Sequence, residues 1–279
     1  MILSVIGHGY VGLVTATVFA DLGNTVWVIG RNREKIERLK RGLVPFYEPG
    51  LTELVEHNIK TGHLKFTLDY NEAIPSSEVV FIAVGTPSGE KGEADLSAVF
   101  TVCRSLAPHL SGYTIIATKS TVPPGTNRKI KSIIEKEKSL KSTFDIASTP
   151  EFLSQGIALQ NTLHPDRVVI GTESVKAKNL LMKLHKPIDG EVVLTNLETA
   201  EMIKYAANAM LATKISFANN LALLCEKVGA DVLKVLEGVG LDKRIGRSFL
   251  NPGVGFSGSC LPKDVNALIA IAEKASSAT

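Results

Sequence analysis

Sulfur is scarce in this chain: 279 residues contain only three cysteines and four methionines. Cys103, Cys225 and Cys260 are odd in number and far apart, with no CxxC pair and no histidine at metal-ligand spacing. A disulfide scaffold and a structural metal centre are therefore excluded, and a reducing compartment is expected. Net charge is also nearly missing. Thirty-one basic against 28 acidic residues leave +3, too little and too dispersed for a protein that competes for nucleic acid by charge. A small anionic ligand remains compatible with it. No run approaches the ~18 apolar residues of a membrane span. The opening MILSVIGHGY enters a strand without a basic segment, an apolar stretch and a cleavage site. A cytoplasmic location with neither membrane nor nucleic-acid partner is the expectation, and no metal is expected.

What is present is an alternation. Short apolar runs, Ile2 to Ile6, Thr25 to Ile29, Val79 to Val84, Thr114 to Thr118, Phe144 to Ala147 and Val168 to Ile170, are separated by amphipathic stretches. Such runs, buried on both faces, predict a doubly wound parallel α/β sheet of Rossmann-like type over residues 1–194. The pattern changes at Thr195-Asn196-Leu197-Glu198, which reads as a capping box. From there to Val228 the chain has no proline or glycine and predicts one helix ended by Gly229. At ~1.5 Å per residue it spans more than about 40 Å, long enough to connect two domains or to form a dimer spine. Residues 195–279 are thus expected to be a small helical domain, with Ala275 to Thr279 a frayed end.

Gly7-His8-Gly9-Tyr10-Val11-Gly12 is a G-x-G-x-x-G turn directly after the first strand. Its glycines permit a tight turn, approach of a pyrophosphate and close helix packing, and the phosphates sit on the helix N-terminus. The second strand of such a unit normally ends in an acid that binds the ribose hydroxyls. Here the chain reads Gly30-Arg31-Asn32-Arg33, with Lys35 one helical turn on. With no carboxylate to repel a 2′-phosphate and cations to attract one, this loop points toward NADP; the competing reading is that the cations form a solvated helix start and NAD binds through its remaining contacts.

The stretch from Asn251 to Asp264 pairs a glycine-rich loop with Cys260 and Lys263. A helix starting near Ser259, together with Lys263, would favour the thiolate of Cys260 and make it a nucleophile. Cys103 and Cys225 read as packing positions. On the long helix Lys204 and Asn208 stand at i and i+4, on one face, where both can donate to one developing oxyanion.

Taken in order, the GHGYVG start, Phe46-Tyr47-Glu48-Pro49-Gly50-Leu51, Val84-Gly85-Thr86-Pro87, Lys119-Ser120-Thr121-Val122-Pro123, Pro150-Glu151-Phe152-Leu153, Asp166 to Gly171, Lys204 to Asn208 and the Cys260 motif resemble the UDP-glucose/GDP-mannose dehydrogenase family. The resemblance covers essentially the whole chain. It implies a four-electron oxidation of a nucleotide-sugar C6 alcohol to the uronate, as UDP-glucose to UDP-glucuronate, through a thiohemiacetal and a thioester on Cys260. It further implies that Lys204 and Asn208 hold the C6 oxygen, that Asp264 and a water near Thr121 move protons, and that Glu151 is the base for thioester hydrolysis. Lys263, Thr86 and Thr121 would touch the dinucleotide. Phe152, Leu153 and the loop Phe249 to Gly253, including Asn251, would cover the substrate, and a homodimer would form through the helix 195–228.

The chain departs from the family's pattern at Gly30, at Gln155 where a second glutamate is usual, and at Ser257. It also stops 15 residues after Asp264, short of the further α/β domain that binds the nucleotide. Two other readings compete: a single-hydride dehydrogenase of the β-hydroxyacid type, which leaves Cys260 unexplained, and a non-catalytic dinucleotide-binding dimerisation module.

Overall fold

Valine and isoleucine are stiff at χ1 and pack well on a pleated surface, so the apolar runs become strands. The computed structural model describes residues 1–140 and 142–276; Lys141 and residues 277–279, where most of the expected frayed end falls, lie outside it. Its strands are β1 Ile2–Ile6, β2 Thr25–Ile29, β3 Leu64–Thr67, β4 Val79–Ile82, β5 Tyr113–Thr118, β6 Thr143–Ser148, β7 Arg167–Gly171 and β8 Glu191–Thr195. Its helices are α1 Tyr10–Asp21, α2 Arg33–Lys40, α3 Leu51–Lys60, α4 Tyr70–Ala73, α5 Ser97–Leu106, α6 Thr126–Glu137, α7 Ala158–Leu163, α8 Val175–His185, α9 Leu197–Val228, α10 Val232–Gly240 and α11 Leu261–Ser276.

The chain divides into two compact units, one of residues 1–86 with 95–202, the other of residues 87–94 with those from Ile203 onward. The first is built on one eight-stranded sheet in the order β3-β2-β1-β4-β5-β6-β7-β8. Strand side chains alternate between two buried layers. Leu3, Val5, Val26, Val28 and Phe81 join one with α1 and α3, while Ile29, Val80, Ile82 and Ile116 join the other with α5 and α6. This two-sided burial is what the unbroken apolar runs require.

Two expectations need correction. The sheet is parallel except where β6 meets β7 antiparallel, through Ser148 opposite Gly171. The linking segment carries only the six-residue α7, and an antiparallel neighbour needs no full crossover. Thr195 is not a helix cap but the last residue of β8; Asn196 caps α9 instead, its Oδ1 accepting the Thr199 N–H at 2.8 Å. The long helix itself is as expected, and Gly229, with φ of +73°, ends it.

The second unit contains α9 from Ile203, then α10 and α11, over a small core of Ala218, Leu236 and Leu250. Asp231 starts α10 by accepting the N–H groups of Leu233 at 2.9 Å and Lys234 at 3.3 Å.

Candidate active site

The sheet order reverses between β1 and β4, and ligands of such sheets bind at the carboxyl ends of the strands there. Gly7 follows β1 at that point with φ of +123°, and a Cβ on it would lie 2.3 Å from the Ala83 carbonyl oxygen. A Cβ on Gly12 would lie 2.0 Å from the Gly7 carbonyl oxygen, so α1 packs against the turn with no room for a side chain. Gly9, by contrast, faces open space and caps α1 without any side-chain hydrogen bond. The first amides of α1, from Tyr10, Val11 and Gly12, therefore face outward with no side-chain cap. The three glycines do three different things, and together they fit a dinucleotide pyrophosphate.

Beside this turn, the Gly7 N–H donates to the Ile29 carbonyl at 3.0 Å and the Gly30 N–H to the Thr67 carbonyl at 3.0 Å. The end of β2 is thus held against the phosphate loop. Gly30 has no space for a side chain: a Cβ would stand 2.6 Å from Ile36 Cδ1 and 2.8 Å from His8 Nδ1. Arg31 and Lys35 are exposed at the start of α2, where Asn32 Oδ1 accepts the Lys35 N–H at 2.9 Å. Burial, then the charges of Lys35 and Arg31, hold the His8 imidazole below its ordinary range.

Thr86 and Thr121 follow β4 and β5, both buried, and the Thr86 hydroxyl donates to the Thr121 carbonyl at 2.9 Å. Beyond β6, the Glu151 carboxylate accepts the Leu153 N–H at 2.7 Å, and the Arg167 guanidinium lies 3.8 Å over the Phe152 ring. Glu151, Phe152 and Leu153 line one pocket with Lys119, Arg167 and His185. Gln155 is exposed.

The second unit carries the nucleophile. Cys260 is exposed, immediately before α11, and its carbonyl accepts the Asp264 N–H at 2.9 Å. Asp264 is almost fully buried: its Oδ2 accepts the Asn208 amide at 2.6 Å, and its Oδ1 pairs with Lys263 Nζ. Lys204, one turn before Asn208 on α9, is buried too. A charged lysine is buried only where something compensates it, so this face of α9 is not a solvated surface. The amide and carboxylate that the resemblance assigned to one reaction centre are bonded to each other. Phe249, with φ of +65° and thus in a region a phenylalanine rarely enters, opens the loop that leads to Cys260. Asn251 is exposed there, and the Gly253 N–H donates to Asn219 Oδ1 at 2.7 Å. The other two thiols behave as packing groups, and burial raises Cys103 to about 12.

Sequence reasoning gave no role to two buried carboxylates. Glu48 accepts the Tyr10 hydroxyl at 2.5 Å and the Gly156 and Ala158 N–H groups at 2.8 and 2.7 Å. Burial pushes its carboxyl up, but these hydrogen bonds outweigh burial and the net shift is downward. The Tyr10 side chain is thereby committed to a scaffold, leaving its backbone at the phosphate turn. Glu201 accepts the N–H groups of Gly125 and Asn127 at 2.6 and 2.8 Å, and the Asn127 side-chain amide at 2.8 Å. It ties the first turns of α9 to the start of α6. Neither set of bonds has a local signal, since the partners lie 38 or more positions apart in the chain. Among the described residues no group of three histidine, cysteine or acidic side chains could hold a metal, and no helix is long and apolar enough to cross a membrane.

Comparison with known proteins agrees with this geometry. Residues 1–189 match the NAD binding domain of the UDP-glucose/GDP-mannose dehydrogenase family and residues 198–279 its central domain. The chain is 52% identical over 273 residues to UDP-glucose 6-dehydrogenase TuaD of Bacillus subtilis, covering 98% of this chain and 59% of that protein. It is 46% identical to the UDP-glucose 6-dehydrogenase of Rhizobium meliloti, covering 98% of this chain and 64% of that one. Among solved structures, a UDP-glucose dehydrogenase from Pyrobaculum islandicum matches with a TM-score of 0.95 at 41% identity, over 98% of this chain and 64% of that chain. A GDP-mannose dehydrogenase from Pseudomonas aeruginosa matches with a TM-score of 0.82 at 34% identity, over 98% and 65%. The chain spans about three fifths of the length of the curated relatives it matches. With its glycine turn, its buried lysine and asparagine on α9 and its exposed cysteine before α11, it belongs to the UDP-glucose/GDP-mannose dehydrogenase family.

Proposed function

We propose that the protein oxidises the C6 alcohol of a nucleotide sugar of the UDP-glucose type to the carboxylate, in two oxidations joined by a covalent intermediate on Cys260. The observation that carries this reading is the second unit's cluster: an exposed thiol one turn before a buried aspartate that is bonded to Asn208 and Lys263, with Lys204 buried on the same face of α9 as Asn208.

The amides of the β1–α1 turn and the two threonines after β4 and β5 would hold the nicotinamide dinucleotide. It would supply the oxidant when bound, two dinucleotides in succession each taking one hydride. The chain's own groups manage the protons and the oxyanion. In the first oxidation the C6 hydroxyl proton leaves through Asp264 and a water held by Thr121, giving the aldehyde. Cys260 Sγ then adds to the aldehyde carbon, and the thiol proton ends on the C6 oxygen as a thiohemiacetal. Lys204 Nζ and the second amide proton of Asn208 stabilise the oxyanion as it forms. The second oxidation removes a hydride and a proton and leaves a thioester. Water activated by Glu151 attacks its carbonyl, releasing the carboxylate and returning the thiol. A one-hydride alcohol oxidation has no use for Cys260.

The test is the number of reduced cofactors formed per limiting UDP-glucose. Two equivalents are expected, with Cys260→Ala unable to form the second. One equivalent from the unaltered enzyme, or two from the Cys260→Ala protein, overturns the proposal.

The same reading includes a homodimer through α9. Its support is a row of exposed apolar side chains, Met210, Phe217 and Leu224, spaced by seven residues and therefore on one face. Light scattering should give twice the mass of one chain, and a single-chain mass overturns it.

A further inference from the structure

Resting on the reading of the β1–α1 turn as a dinucleotide site, we infer that the adenosine end of this site is selective for a 2′-phosphorylated dinucleotide, NADP, with Arg31 and Lys35 as the phosphate-binding cations. Three observations carry it. The first is steric. In sites that prefer NAD, a carboxylate at the end of the second strand takes the ribose hydroxyls and repels a 2′-phosphate. Here that position is Gly30, and the space a side chain would need is filled by the buried Ile36 and by His8. Any side chain at residue 30 would have to displace both of them, and no carboxylate stands there to repel a 2′-phosphate.

The second is placement. Ile29 accepts the Gly7 N–H, so the residues just past β2 begin beside the pyrophosphate turn and not on a remote loop. Arg31 is the next residue after Gly30. Lys35 lies in the first turn of α2, whose start is fixed by the Asn32 cap.

The third is charge. Arg31 and Lys35 are exposed, and among the described residues neither has a carboxylate in ion-pair reach. Glu37, the acid nearest Lys35 on the helix apart from its neighbour Glu34, is paired with Lys40 at 3.0 Å. Two cations without a counter-ion beside a phosphate turn form a ready site for a phosphomonoester dianion, which a guanidinium can take through two parallel hydrogen bonds. The shifted imidazole of His8 is consistent with their field reaching the turn itself.

NAD and NADP differ only in the 2′-phosphate, so the pair is a clean probe, and binding can be read without turnover. Calorimetric titration of the protein with NADP+ and with NAD+ should show NADP+ binding at least about tenfold more tightly. The double variant Arg31→Ala, Lys35→Ala should lose about tenfold or more in NADP+ affinity while its NAD+ affinity stays within about twofold. Raising the salt concentration should weaken NADP+ more than NAD+. Equal or tighter binding of NAD+, or a preference that survives the double variant, overturns this inference and leaves the dinucleotide site standing. Binding of neither dinucleotide overturns the inference together with the reading of the turn on which it rests.

Discussion

Acid should destabilise the sheet unit through a single buried ring. His185, at the end of α8, is almost completely buried, packs edge-on against Phe19 with ring centroids 5.4 Å apart, and bonds the Leu181 carbonyl through Nδ1 at 2.8 Å. Burial, and then the charge of Lys119, lower its pKa from 6.5 to about 4. Because the folded value lies below the unfolded one, the unfolded chain binds the proton first as pH falls, and stability drops between pH 6.5 and pH 4. Integrating over that window gives a loss of about 1.8 kcal/mol between pH 7 and pH 5, and about 3 kcal/mol by pH 4. Urea unfolding at pH 7, 6 and 5 would show the first loss as a midpoint shift of roughly 0.6 to 0.9 M for a slope of ~2–3 kcal/mol/M. In His185→Gln the Leu181 carbonyl keeps its helical N–H partner, so the variant isolates the titration. Other acid-sensitive groups are shared by both proteins and cancel in the difference. Glu48, lowered, loses stability as pH falls, and Glu201, raised by burial, acts in the opposite sense. If the variant loses as much stability as the unaltered protein between pH 7 and pH 5, the account of His185 is wrong.

Thiol labelling at neutral pH should modify Cys260 quickly and leave Cys103 and Cys225 untouched until the protein unfolds, as mass spectrometry of the labelled peptides would show. Rapid labelling of Cys103 would contradict its burial. Glu201→Ala removes the acceptor of three buried hydrogen bonds and should cost about 3 to 5 kcal/mol by thermal or chemical unfolding, with Glu201→Gln losing roughly half as much. An alanine variant within about 1 kcal/mol of the unaltered protein would show that water replaces the carboxylate freely.

The central strands were legible because they are buried on both faces and so read as continuous apolar runs. The two strands that periodicity missed, β3 and β8, are the edges of the sheet, where Lys65, Glu191 and Val192 face solvent and break the run. Strand direction leaves no trace in hydropathy, which is why the antiparallel meeting of Ser148 and Gly171 was invisible. At the site, Gly7, Gly12, Cys260 and the Lys204–Asn208 spacing were readable because each is a local pattern with a physical purpose. That Asn208 donates to Asp264 was not, since the bond joins residues 56 positions apart. The roles of Glu48, Glu201 and His185 likewise depend on burial and on distant partners, which no local window contains.

The crowding around Gly30 also shapes which mutational routes are open to this protein. Gly30→Asp alone, the simplest path to the carboxylate that many dinucleotide sites carry, would drive a Cβ into Ile36 and His8. The Ile36 and His8 side chains would both have to shift before the new side chain could fit. The three positions are therefore epistatic, and a laboratory lineage selected for a changed cofactor should alter residue 36 or residue 8 before residue 30, or reach its goal by changing Arg31 and Lys35 instead.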